Sequence, residues 1–491
     1  MKTFEEFIRN FGFTEYPFST YTTENEKGRE SELFVPPSDY SPIIQGFHQN
    51  QSMILIGNRG TGKTAILLDF DREIDKQKTI FCSIDDFSSL KLDFNLGDFY
   101  KFLIMNISIV LFEELALETK RLKRLDQEDK VLLSYLLSNF VPIVSKRIIK
   151  EKIERLQVSN LKRVGRNVYN FLRGIFNWGA TVGVTLIDQY IAKHFKGLPD
   201  LNSEVNIKSF FPELPLTVDD SFNDMYINFQ LLNDVLKVIS KLGYEKTVLL
   251  LDKLDEDGRL DNNSEKIADF VKPILTDNKL LLNPSIQIVV SMWSTPFNYL
   301  VEHVRTQKHN CPTLNWYKAD LVAVLNKRLE IFTNGKIKDF RELFSEQLTL
   351  ELEDKIFQLA NNNPRDLWHL FNKLMRSQYK LNPNSNRIVL TSIEPAFVDF
   401  VTTFNYFEYY PRKQNARANS MDFYSYTAHL LKLDSPVFTR NQLNEKAKTG
   451  GSTQNYVIGM ERIGLIEKTT QNGGVIYYRV KDPKVVYAQQ H

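Results

Sequence analysis

Eight residues constrain this chain more than any others: Gly57-Asn58-Arg59-Gly60-Thr61-Gly62-Lys63-Thr64, lying between the apolar run Ser52–Ile56 and an amphipathic stretch that starts with Ala65. A short run that is apolar at nearly every position suits a strand buried on both faces, as the centre of a parallel sheet requires. The spacing Gly-x4-Gly-Lys-Thr at a strand-to-helix junction lets backbone N–H groups curl around phosphate oxygens at a helix N-terminus. In such a loop, residues 57–65 form the cradle, Lys63 reaches the outer phosphates and Thr64 holds Mg²⁺. The competing reading is a glycine-rich turn that happens to include a lysine. It leaves the strand before and the helix after as coincidences.

The rest of the chain supplies the sheet that such a loop needs. Thr79–Ile84 reads as a second strand ending in Asp85-Asp86, which completes a strand-loop-helix-strand unit. Thr247–Leu251, ending in Asp252, and Ser285–Met292 are two further apolar runs of strand length. The expected fold is therefore α/β with a parallel sheet. Between about 96 and 242 the pattern is helical and far longer than an ordinary connection, so it predicts an inserted helical subdomain within a core spanning 51–299. Residues 1–50 read as an aromatic arm packed on the domain that follows. Residues 300–395 read as a helical lid, broken at Asn361-Asn362-Asn363-Pro364, whose proline suits the first turn of a new helix. In 420–491 three helical stretches precede two β-like runs around Gln471-Asn472-Gly473-Gly474, a hairpin signal. Three helices and a hairpin predict a winged helix.

With 491 residues the chain is long enough for several domains, and its 62 Lys and Arg nearly cancel its 60 Asp and Glu. No global charge announces nucleic acid or membrane as a partner. The strongest local excess is at 141–196, with eleven Lys or Arg against three acids. Cys82 and Cys311 are the only cysteines, too few for a disulfide framework and in keeping with a reducing, cytoplasmic compartment. Gly174–Ile187 is apolar but shorter than the roughly 20 residues of a spanning helix. It reads as a buried or interfacial helix. His303, His309 and Cys311 match no zinc spacing and read as structural.

An acid at the end of a neighbouring strand is the second half of a nucleotide site, there to hold magnesium. Asp252 occupies that position. The residues 57–64, Leu-Leu-Leu-Asp-Lys-Leu-Asp-Glu at 249–256, Asn-Pro-Arg-Asp-Leu at 363–367 and the C-terminal tail together resemble the additional-strand P-loop ATPases. Within them they are closest to the AAA-, KAP- and STAND-like branch of bacterial conflict systems. The resemblance implies ATP and Mg²⁺ as ligands, with Arg365 as a lid arginine sensing the γ-phosphate. Ser291 or Ser294 stands where relatives carry a polar first sensor. It also implies a switch that controls a protein effector or a homo-oligomer, in anti-phage defence. Many relatives place an acid directly after the strand-end aspartate to polarise water, whereas this chain has Lys253. Asp255 or Glu256 then becomes the expected base, and turnover is expected to be slow. Arg59 and Arg328 are further candidates for phosphate or for a neighbouring subunit's site, with a solvated arginine the favoured reading of each.

The alternative implied by the same motifs is a DNA-binding loader of origin-recognition type, using the basic insertion or the winged helix. The helical stretch Ser452–Ile463 carries one arginine and one glutamate, with Lys446, Lys448, Lys468, Arg479 and Lys481 around it. Phosphate contacts need several cations on one face, so structural or protein-binding use is the favoured reading of that module.

Overall fold

A computed structural model describes residues 3–26, 28–126, 225–410, 421–472 and 475–491, with isolated positions between 127 and 141. Apart from its first residue, the basic stretch 141–196 lies outside the described residues, as does the run Gly174–Ile187. The chain is mixed α/β. Four apolar runs form one parallel sheet: β1 (Met53–Gly57), β2 (Thr79–Ile84), β3 (Lys246–Leu251) and β4 (Gln287–Trp293), in the order β1-β4-β3-β2. Every residue of β4 is buried, as expected for a central strand flanked on both faces.

One extended segment escaped the sequence reading. Asn310–Leu314 lies parallel to β1, with bridges Met53 to Asn310 and Ile56 to Thr313. The N–H groups of Ile54 and Ile56 donate to the carbonyls of Asn310 and Pro312, and the N–H of Leu314 donates to Ile56. The rung that would run from residue 312 back to β1 is missing because proline has no N–H, which is why a proline is tolerated only at such an edge. Cys311 lies in this segment, where burial pushes its thiol up to about 11.

By compactness the chain divides into two units. The first comprises residues 1–72, 253–271 and 290–491. Its larger core joins Phe7, Phe11, Phe13 and Phe18 of the N-terminal arm to helices Lys318–Phe332, Leu350–Leu359, Pro364–Leu381 and Ile393–Thr403. Within this unit the arm therefore packs into the helices expected to form the lid. Arg328 explains the anchoring. Rather than being solvated, it is 3% exposed, pairs with Glu26 at 2.6 Å, donates to the carbonyls of Pro17 and Thr20, and stacks over Trp368. A buried guanidinium needs its donors satisfied, and the arm supplies the acceptors.

A smaller core in the same unit runs from Tyr406 to Val485. It contains helices Phe423–Leu430, Arg440–Ala447 and Thr453–Arg462, and a second sheet of β5 (Val437–Thr439), β6 (Ile466–Asn472) and β7 (Val475–Val480) in the order β5-β7-β6. Pairing of β6 with β7 is antiparallel and reaches Asn472 opposite Val475. Helix Pro483–Gln490 follows, capped by the Asp482 side chain.

The second unit comprises residues 73–252 and 272–289. In it β2 pairs with β3, and the helices Leu96–Leu117 and Met225–Lys241 pack on one another. The Asn95 and Asp98 side chains cap the first of these reciprocally, which sets its start.

Candidate nucleotide site

The loop leaves β1 at Gly57 and enters helix Lys63–Glu73. Gly60 and Gly62 take φ values of 82° and 84°, in the left-handed region that costs glycine nothing. The Thr61 hydroxyl donates to the Asn58 carbonyl at 2.8 Å, and the Trp316 indole N–H donates to the Thr61 carbonyl at 2.8 Å. The Lys63 ammonium bends back over the loop, 3.0 Å from the carbonyls of both Gly57 and Asn58. Thr64 and Ala65 lie in the first turn of that helix, where backbone N–H groups point towards its N-terminal end. A left-handed glycine pair, a helix N-terminus and an ammonium on one loop make a cradle for a tetrahedral anion. These residues fit the phosphates of a nucleotide.

Gly60 is also sterically required. A Cβ there would lie 2.7 Å from both Arg365 Cβ and Asn363 Oδ1. Gly60→Ala is expected to cost about 1–3 kcal/mol through backbone strain alone and to weaken any phosphate ligand of the loop. Chemical denaturation and a ligand titration on the same variant would check it.

Arg59 differs from the expectation of a solvated side chain. Its Nε donates to Asp255 Oδ2 at 3.0 Å, one Nη to the Asp255 carbonyl at 3.0 Å and the other Nη to Asn262 at 2.5 Å. The guanidinium also lies 4.0 Å from the ring centroid of Trp293 at the end of β4. Asp255 is 5% exposed in this pair, so its carboxylate is committed to the loop arginine. Glu256 is exposed, and its N–H donates to the Lys253 carbonyl. Lys253 has φ 60°, a left-handed conformation that bends the chain directly after the strand. In the other unit, Asp252 directly follows β3, is 7% exposed and donates its N–H to the Ile84 carbonyl. Ser291 is buried in β4, and its hydroxyl has no hydrogen-bond partner among the described residues.

The helix Pro364–Leu381 brings the remaining residues to the loop. Its cap Asn363 accepts from the Arg365 N–H at 2.9 Å and spends its own amide hydrogens on the Arg59 carbonyl at 2.6 Å and the Tyr409 oxygen at 2.5 Å. Arg365 lines a cleft of about 220 Å³ together with Arg59, His369, Lys373, Phe404 and Glu408. Its guanidinium is 3.7 Å from Glu408, and its buried Nε has no hydrogen bond among the described residues. Asn363, Tyr409 and Trp293 were not singled out as ligand or support residues by the sequence. Only Asn363 carried a local signal, the residue before a helix-starting proline.

His369 stacks on Tyr21 at 3.8 Å in this cleft. Burial first, then the charges of Arg365, Lys373 and Lys484, depress its pKa from 6.5 to about 4. A depressed histidine contributes stability that is present above its unfolded pKa and lost as the pH falls from 6.5 towards 4. His369→Gln is expected to flatten the acid limb of a stability-against-pH curve in that window. The ceiling for one proton is about 1.4 kcal/mol per pH unit, and partial exposure of the ring reduces it.

Compared with known proteins, the chain matches no family model and no curated protein. The reading of the site therefore stands on its residues and their geometry. Among the described residues no helix is long and apolar enough to cross a membrane.

Proposed function

We propose that this chain is a P-loop ATPase that binds ATP with Mg²⁺ at residues 57–65 and uses it as a slow switch. The observation that carries this reading is the Lys63 ammonium folded over a left-handed glycine loop at a helix N-terminus. Thr64 in the loop is the residue that would hold Mg²⁺, which when bound neutralises phosphate charge; Asp252 enters the reading through the family resemblance alone. Arg365, with its stem against Gly60, is the side chain available to a terminal phosphate. Slow turnover follows from the chemistry after β3. Lys253 cannot act as a base near neutral pH, and Asp255 is tied to Arg59, which leaves exposed Glu256 as the candidate. A displaced base positions water less well, and phosphoryl transfer depends on positioning.

The module 421–491, read as a winged helix, favours a protein partner or a second copy over DNA. Of its basic side chains, Lys446, Lys468, Arg479 and Lys481 each sit beside a carboxylate: Asp434, Glu461 and, for the last two, Glu467. Cations that already sit beside carboxylates contribute less to counterion release on a duplex. Control of an effector in bacterial anti-phage defence rests on the family resemblance alone. Calorimetric titration of the whole chain with ATP, ADP and GTP, with and without Mg²⁺, tests the reading. Saturable ATP binding strengthened by Mg²⁺ is the expected result, and its absence would sink it.

A further inference from the structure

A buried ion pair, continued by three buried hydrogen bonds, leads to one peptide group of the glycine-rich loop. It starts at Lys484 in the C-terminal helix, whose ammonium lies 2.7 Å from Asp366 Oδ2. Asp366 Oδ1 accepts from the Tyr409 hydroxyl at 2.8 Å. The Tyr409 oxygen accepts one amide hydrogen of Asn363, and the other goes to the Arg59 carbonyl. The hydrogens balance: Tyr409 has one and gives it to the carboxylate, so its oxygen can only accept from Asn363. Asn363 has two and uses both. Lys484, Asp366 and Asn363 are all at most 2% exposed, so none of these groups can exchange its partner for water without exposing the others.

The peptide that receives this chain joins Arg59 to Gly60. In a trans peptide the C=O and the N–H point in opposite directions. With the Arg59 carbonyl held towards Asn363, the Gly60 N–H must point the other way. We propose that Asn363 and Tyr409, backed by Asp366 and Lys484, are positioning residues that lock the Arg59–Gly60 peptide in the one orientation presenting the Gly60 N–H to a bound phosphate. This rests on the nucleotide reading of the loop. Gly60 is also the residue for which a flip would be easiest, because glycine accepts either sign of φ, so an external lock has something to do there. The lock also reaches beyond the loop. Its last member, Lys484, belongs to the C-terminal helix.

Two adjacent tyrosines provide a matched test. Tyr409 is in the chain, whereas the Tyr410 hydroxyl donates to Asp482 at 2.9 Å, equally buried but outside it. Mg-ATP affinity would be measured by calorimetry on the wild type, Tyr409→Phe, Tyr410→Phe and Asn363→Ser, with melting temperatures recorded alongside. Serine keeps a neutral cap for the helix and loses the amide donors. Tyr409→Phe and Asn363→Ser are expected to weaken ATP about tenfold, the effect of one lost hydrogen bond, while Tyr410→Phe leaves affinity unchanged at a similar melting temperature. Affinities within twofold of wild type for Tyr409→Phe and Asn363→Ser, or an equal loss in Tyr410→Phe, would overturn the lock alone. A wild type that binds no nucleotide would overturn the nucleotide reading and the lock with it.

Discussion

Lys63→Ala is expected to reduce ATP affinity at least a hundredfold while leaving the fold in place. The two effects separate because the ammonium is held by its own loop: it reaches the carbonyls of Gly57 and Asn58, each at 3.0 Å. Removing it loses charge-assisted hydrogen bonds at a partly exposed position, where the solvated carbonyls recover most of the energy, so about 1 kcal/mol of stability is at stake. A bound triphosphate loses far more. The ammonium is the only lysine charge the loop itself carries, and a phosphate facing backbone N–H groups alone keeps the cradle but not the counter-charge. Calorimetry with ATP, paired with a thermal melt, would check both halves. ATP affinity unchanged from wild type would mean that the loop is not the site.

The parts of this arrangement legible in the sequence are those that a local pattern can encode. The four apolar runs each became a strand of one sheet, and the glycine spacing marked the loop between β1 and its helix. Asn363-Pro364 marked a helix start, because a proline at the first turn follows a side-chain cap. What surrounds the loop was not legible, since its partners lie far apart along the chain. Arg59 meets Asp255 across 196 residues, and its carbonyl meets Asn363 across 304. No periodicity records such a closure. Arg59 reads as a solvated loop arginine until Trp293, an odd residue at a strand end, turns out to be the surface it stacks on. The segment Asn310–Leu314 was hidden for a different reason: its proline removes one rung and suggests a loop.

Lys484 gives the largest expected effect on stability. Nothing in the local sequence Asp482-Pro483-Lys484 distinguishes it from a surface lysine, yet it is fully buried. Its ammonium sits 2.7 Å from Asp366 and 4.3 Å from the ring centroid of Phe404, with Tyr409 and Phe400 further out. A charge taken this far from water is tolerable only with a partner, and the aromatic faces add their own attraction for the cation. Lys484→Met keeps much of the side-chain volume but leaves Asp366 without its counter-charge. Breaking one side of such a pair costs about 3–5 kcal/mol, mostly as the penalty of the carboxylate left behind. The double variant Lys484→Met with Asp366→Asn removes that charge too, and is expected to recover a large part of the loss. Burial already holds the Asp366 carboxyl above its ordinary pKa, against the pull of Lys484 and Tyr409. Without Lys484 it rises further, so the folded single variant binds a proton more readily than its unfolded chain does. Stability then increases as the pH falls, because the native state takes up more protons than the unfolded one. The deficit of Lys484→Met relative to wild type should therefore shrink as the pH falls from neutrality, and the double variant, which has no carboxyl to titrate there, should show no such recovery. Denaturant titrations of the three proteins across that pH range would decide it, and a deficit that stays constant with pH would mean that Asp366 is not left charged.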